Sequence, residues 1–233
     1  MAKIKKNDFI EIEYTAKIAD SDIVFDTTDE KTAKEYGLFS NNARFGKIVV
    51  CVGEGQIVKG LENKLIGKEP GKYTIRLSPE EGFGKKSAKN IQLIPLSKFK
   101  KENIQPLPGM QVNVDNIPGI IKTVSGGRVL VDFNHPLASK ELVYDITISR
   151  ILEDDNEKAR EYVKFMLNLD DADVSIDNGI LKVITKASIP AEVQAVLRES
   201  LTKTISSVND VKFLTEQESA KSSADKEKHH SDN

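Results

Sequence analysis

The sequence predicts an α+β chain built in three parts, and three observations carry that reading. Runs that alternate apolar and polar residues, the mark of half-buried strands, fill the first 87 residues and return at Glu141–Leu152. Between them lies a stretch of short β-rich runs separated by Pro-Gly and Gly-Gly turns. After Glu153 the texture changes to helix, hairpin, helix and strand.

In chain order, DFIEIEYTAKIAD at residues 8–20 predicts a strand with Phe9, Ile12, Tyr14 and Ala16 or Ile18 on one face for part of its length. Val24–Thr28 reads as a strand end entering a loop, and EKTAKEYGLF as a short helical piece within residues 29–42. Lys47–Val52 is β-branched and apolar, hence a buried strand. Lys72–Ser78 alternates as the next strand, and Pro79–Gly84 is a turn by composition. Ile91–Leu96, Gln111–Val114, Ile120–Val124 and Arg128–Phe133 describe a small all-β unit. Asp154-Asp155-Asn156 offers an N-cap for EKAREYVKFML, with Ala159, Tyr162, Val163 and Met166 on one face. Asn178-Gly179 marks a hairpin between Ala172–Ile176 and Ile180–Thr185. Pro190 starts a second helix with Val193, Val196, Leu197 and Leu201 inward, and Asp210–Leu214 is a last strand.

Composition narrows the function. The 233 residues carry 34 Lys+Arg and 36 Asp+Glu, a net charge of -2, without the basic excess of a nucleic-acid binder. No window approaches the ~18–20 apolar residues that span a bilayer. The single cysteine, Cys51, rules out a disulfide framework, fits a reducing, cytoplasmic setting and reads as a small buried hydrophobe. Abundant Lys, Glu and Ile without Trp also fit a thermophile. Gly53-x-Gly55 is a poor nucleotide signal, because the third glycine is misplaced at Gly60 and no βαβ unit follows.

The segment Gly53–Gly71 sets Ile57, Val58 and Leu61 at helical spacing between glycine and proline turns. It offers no nucleophile, no acid–base pair and no metal ligand, so it suits the floor of a pocket. With IEIEYTAK, VFDTT, VGEGQIVKGLENKLIGKEPGK, LSPEEGFG and ELVYDITISRIL in this order, the chain resembles the FKBP-type peptidyl-prolyl isomerases over about residues 3–152. Within them it is most similar to the SlyD-like branch in its long archaeal form. The resemblance implies a curved antiparallel sheet wrapped round a short helix in residues 1–87 and 134–152, interrupted by an insert-in-flap domain at 88–133. Residues 153–214 resemble the extra C-terminal domain of long members more loosely, and 215–233 read as a disordered tail.

By the same resemblance the catalytic pocket comprises Tyr14, Asp26, Phe83 and Tyr144, with Phe25, Val50, Ile57, Val58 and Leu61 binding substrate. Phe83 stands where the motif usually has tyrosine, and Tyr144 where it usually has phenylalanine. Leu61, Val50 and Tyr144 would hold the proline ring, the Val58 N–H would bond a substrate carbonyl, and Asp26 would polarise the far side or order the Tyr14 hydroxyl. Taken singly, each of these residues is an ordinary core or turn residue; their joint order carries the site.

The insert holds more aliphatics than so small a unit buries: Ile91, Leu93, Ile94, Met110, Val112, Ile120, Ile121, Val129 and Val131. They are expected to form a surface that captures unfolded or nascent polypeptides containing X-Pro, which makes the protein a chaperone-assisted isomerase. The alternative is a holdase with weak or vestigial isomerase activity. No cofactor and no metal are expected: His229-His230 is a meagre site and His135 reads as structural, which leaves little for a metallochaperone. The C-terminal unit, marginal by itself, is read as a small packing domain, or else as a homodimerisation or client-binding module.

Overall fold

The computed structural model describes residues 2–21, 23–41, 43–169 and 171–219. The chain divides into two compact units: the described residues within Met1–Lys17, Ile23–Ile75 and Tyr144–Asn233, and those within Ile18–Asp22 and Arg76–Val143.

The first unit starts with β1 (Phe9–Ile18), β2 (Val24–Thr27), α1 (Glu30–Glu35), β3 (Ile48–Cys51), α2 (Lys59–Leu65) and β4 (Gly71–Leu77). In the insert follow β5 (Ile91–Pro95), α3 (Leu96–Lys101), β6 (Gln111–Val114), β7 (Ile117–Ser125) and β8 (Arg128–Asp132). The chain returns along β9 (Leu142–Ile151) and ends with α4 (Asp155–Leu167), β10 (Asp173–Asp177), β11 (Ile180–Thr185), α5 (Ala191–Thr204) and β12 (Asp210–Thr215).

The five-stranded sheet runs β2-β1-β9-β4, with β3 also paired to β1. Strands β2 and β3 share β1 between them: β3 takes Phe9–Ile12 and β2 takes Thr15–Lys17, both antiparallel. The alternation of β1 then sends its residues to two cores. Ile10, Ile12 and Ala16 are buried on one face. Phe9, joined by Val49 and Cys51 of β3, packs on the other side with Ala159, Tyr162, Val163, Leu197 and Leu201 of α4 and α5. The Phe9 and Tyr162 rings meet edge-on at 6.0 Å.

The helix α4 begins as expected, with the Asp154 side chain accepting the Glu157 N–H at 2.7 Å. The hairpin β10–β11 turns through Asn178 and Gly179, both at positive φ, and a Cβ on Gly179 would stand 2.4 Å from the Asn209 amide. Strand β12 lies parallel to β11, which the crossover through α5 allows. Met166, Val193 and Val196 do not join the inner faces assigned to them. They are 39%, 36% and 53% exposed, because the stripes facing the sheet are narrower than the full run of aliphatics. The expected tail starts too early: Thr215 closes β12 and residues 216–219 are helical, while 220–233 lie outside the described residues.

The four-stranded sheet of the second unit runs β5-β8-β7-β6. Its strands match the sequence expectation, but the insert is not all-β. Helix α3, capped only by Pro95, drops Phe99 into the core with Val112, Val114, Ile121, Val129 and Val131. Its six residues hold one core side chain, too few for a helical period to register. Four of the nine expected surface aliphatics are therefore core: Val112, Ile121, Val129 and Val131 occupy the inward positions of their strands. Ile91, Leu93 and Met110 are exposed, Ile94 and Ile120 are half-buried, and Leu107 and Ile117 join the exposed set unforeseen.

Candidate active site

Tyr14 sits on β1 opposite the end of β2, and both of its backbone polar groups are tied down. Its N–H donates to Thr28 Oγ1 at 2.9 Å, and its carbonyl accepts the Thr28 N–H at 2.9 Å. With Thr15 paired to Thr27 and Ala16 to Asp26, this register brings the Tyr14 hydroxyl to Asp26, where it donates to Oδ2 at 2.7 Å. Strand β9 brings Tyr144 against both neighbours: its ring lies 5.9 Å from Tyr14, tilted, and 6.0 Å from Phe25, edge-on. Burial, reinforced by the Asp26 charge, pushes both tyrosine hydroxyls well above their ordinary range. They stay neutral donors. Asp26 is exposed to solvent on its β2 edge.

Tyr14, Phe25 and Asp26 open on a cavity of about 440 Å³; Tyr144, 3% exposed, packs against Tyr14 and Phe25 and does not line it. Tyr14, Phe25 and Asp26 form one side, Arg44, Phe45 and Ile48 the next, and Phe165 and Asn168 of α4 close it. Arg44 Nε donates to Asn168 Oδ1 at 3.1 Å. Sequence reasoning missed this second half of the cavity. The available signal was an arginine–phenylalanine pair inside an otherwise polar loop, two residues before a β-branched strand.

Val50 and Leu61 occupy different ground. At 1% and 0% exposure they are sealed core residues and present no surface to a ligand in this conformation. On β3 the position that reaches the cavity is Ile48, two residues before Val50 and on the same strand face. Ile57 and Val58 are half-buried ahead of α2. The Val58 carbonyl accepts the Leu61 and Glu62 N–H groups at 2.8 and 3.1 Å, while among the described residues nothing accepts the Val58 N–H. The turn before it is braced from below: the Cys51 N–H donates to Gln56 Oε1 at 2.6 Å, and the Gly55 N–H to the buried Glu62 at 3.1 Å. Cys51 is fully buried, and that burial pushes its thiol up to about 12, so it is no nucleophile.

Phe83 belongs to the second unit, where its ring stacks parallel on His135 at 4.2 Å. His135 thus has a packing partner, and its Nδ1 accepts the Leu137 N–H. Among the described residues no three His, Cys, Asp or Glu side chains converge as a metal site, and His229-His230 lie outside them. No helix among the described residues is long and apolar enough to cross a membrane.

Comparison with known proteins adds the following. Residues 92–137 match the family model described as FKBP26, IF domain. The short-type peptidyl-prolyl cis-trans isomerase of Methanocaldococcus jannaschii is 33% identical over 155 residues, 66% of this chain and 98% of the relative, so the likeness takes in nearly all of that protein. The FKBP-type peptidyl-prolyl cis-trans isomerase SlyD of Haemophilus influenzae is 31% identical over 63% of this chain and 71% of its own. The FKBP-type 16 kDa isomerase of Escherichia coli is 28% identical over 64% of this chain and 93% of its own. Each match leaves a third or more of this chain unaccounted for.

Proposed function

The chain belongs to the FKBP-type peptidyl-prolyl cis-trans isomerase family, and from that premise we propose that it speeds rotation about X-Pro bonds in unfolded or partly folded polypeptides at the Tyr14–Asp26–Tyr144 site. An X-Pro bond turns over a barrier of ~18–20 kcal/mol, because rotation breaks amide resonance. The twisted amide is less zwitterionic than the planar one. An enclosure of aromatic and aliphatic walls therefore disfavours the planar ground state relative to the twisted state. Each ~1.4 kcal/mol of that difference is tenfold in rate, and no side chain has to take or give a proton.

The observation that carries this reading is the neutral Tyr14 hydroxyl bound to Asp26 beside the Tyr144 ring. Asp26 holds Tyr14 in place. The Val58 N–H, without an acceptor among the described residues, is a donor for the substrate carbonyl. Tyr144, buried at the position where the family usually has phenylalanine, packs against Tyr14 and Phe25 and holds them at the cavity. Exchange spectroscopy on a tetrapeptide with one X-Pro bond tests the site directly. Asp26→Ala combined with Tyr144→Ala should remove most turnover; turnover at the wild-type rate would take this site out of the mechanism.

The insert supplies the second activity in this reading, capture of unfolded chains. Leu93, Leu107 and Ile117 are 57%, 59% and 54% exposed, and these side chains support that reading. The groove along β6 and β7 is lined by Ile117, Gly119, Ile120 and Phe133. A Cβ at Gly119 would stand 2.7 Å from Val131, so a larger residue would push the groove's own lining outward. Suppression of aggregation without turnover would favour the holdase alternative. A second copy is not needed to cover the C-terminal region, since Phe9, Val49 and Cys51 already pack against it. The single buried thiol fits a reducing cytoplasm.

A further inference from the structure

The cavity beside Tyr14 and Asp26 is completed by a part of the chain that follows the five-stranded sheet: Phe165 and Asn168, at the end of α4. Phe165 is half-buried, yet it takes no part in the core that seats this helix. That core uses Ala159, Tyr162 and Val163, packed on Phe9, Val49 and Cys51. Because the seating is a fully buried cluster, the end of α4 is held firmly against β3. Phe165 instead lines the cavity on one side and, on the other, a crevice shared with Lys47 and Glu161. Asn168 closes the helix in the left-handed conformation, at φ 52°, and its carboxamide oxygen accepts from Arg44. The loop carrying Arg44 and Phe45 is thereby fastened to the helix end.

We propose that the end of α4 is part of the substrate site, with Phe165 selecting the side chain that flanks the proline. This rests on the reading of Tyr14, Asp26 and Tyr144 as the isomerase site. The wall that Phe165, Phe45 and Ile48 make is aromatic and aliphatic, so it takes a large apolar side chain in preference to a small one. Asn168 is a positioning residue: it acts through Arg44 on the loop that presents Phe45. The C-terminal region thus narrows the choice of peptide at a site otherwise built from the sheet.

The test uses the full chain and two tetrapeptide series, with Ala, Leu, Phe or Glu either before or after the proline, read as kcat/KM by exchange spectroscopy. The wild-type protein should favour Leu and Phe over Ala in one series. Phe165→Ala should lower that ratio about tenfold, the scale on which an apolar pocket discriminates. Phe165→Leu should keep most of it, and Phe165→Gln, should the alanine variant not fold, should lower it by a similar factor. Asn168→Ala should give a smaller drop in the same ratio. Wild-type ratios in both series for Phe165→Ala or Phe165→Gln, with turnover still abolished by Asp26→Ala and Tyr144→Ala, would overturn the proposal and leave the site intact. Undiminished turnover in that double variant would instead remove the site, and the proposal with it.

Discussion

Residues 153–214 and the insert spanning β5 to β8 are both small units rich in aliphatic side chains, and units of that size bury their apolar surface incompletely when isolated. The C-terminal region lays α4 and α5 against Phe9 of β1 and Val49 and Cys51 of β3, so the odd-numbered face of those strands becomes part of its own core. The insert closes a core of its own around Phe99 and keeps Leu93, Leu107 and Ile117 in water. The first arrangement yields stability and a fixed wall for the cavity. The second leaves apolar side chains in water, the surface that the proposed capture of unfolded chains would use. Apolar content alone does not distinguish a packing module from a capture module; what distinguishes them is whether a sheet face is available to receive it.

Substitution at the seam should have the largest effect. Phe9→Ala removes a ring at 1% exposure that touches Tyr162, and should lower unfolding stability by about 3–5 kcal/mol in urea titrations. A loss near zero would mean that the C-terminal region does not rest on β1. Alkaline titration comes next and reports only on the tyrosine-bearing regions, since residues 88–133 contain no tyrosine. Tyr14, Tyr144 and Tyr162 are all raised above the ordinary 10.0 by burial. The folded state therefore keeps protons that the unfolded chain loses above pH 10. Stability is intact below that pH and declines above it, by up to about 1.4 kcal/mol per pH unit for each tyrosine. Tyr144→Phe should flatten the decline, and an unchanged slope would refute the burial of that hydroxyl.

A smaller effect is expected where Arg150 bridges Glu11 of β1 and Glu157 of α4, at 3.1 and 2.6 Å. Arg150 is half-exposed, so Arg150→Met should cost only about 0.2–1 kcal/mol, less in high salt. A salt-independent loss would assign the arginine stem, rather than its charge, to the seam. The smallest stability change should come from the insert. Leu93→Ser with Ile117→Ser should shift stability by no more than about 0.5 kcal/mol per site while weakening suppression of aggregation of an unfolded client. Full suppression in that variant would remove these side chains from the capture surface.

Strands with one buried face were legible because a period of two survives even in short runs, and β1, β4 and β9 lie close to where the pattern predicts them. The hairpin at Asn178-Gly179 was equally plain, since its two positive φ angles demand those residues. Helix α3 was hidden, because a single core side chain in six residues leaves no period to find. At the site, Tyr14, Phe25, Asp26 and Tyr144 came together as their order in the motifs implied. Val50 came from the family motif; Ile48 lies on the same face of β3, and only the structure tells which of the two the cavity reaches. Phe165 and Asn168 were out of reach for a deeper reason. They lie more than a hundred residues from Tyr14 in sequence, and nothing local marks a helix end as a neighbour of that strand.

Strands β2 and β3 share β1, and the segment between them is closed at its base where the Gly46 N–H donates to the Thr28 carbonyl at 2.7 Å. Such a loop is insulated from the sheet it leaves. Lengthening it near Gly37 would add only the slowly growing entropy of a longer closure and would leave the register of β1 untouched. The same loop presents Arg44 and Phe45 to the cavity. Here the fold separates the part that must stay constant from the part that is free to vary. Variation confined to the stretch around Gly37, which leaves the buried Ala33 of α1 and the Arg44–Asn168 bond in place, would explore peptide preference at nearly constant stability.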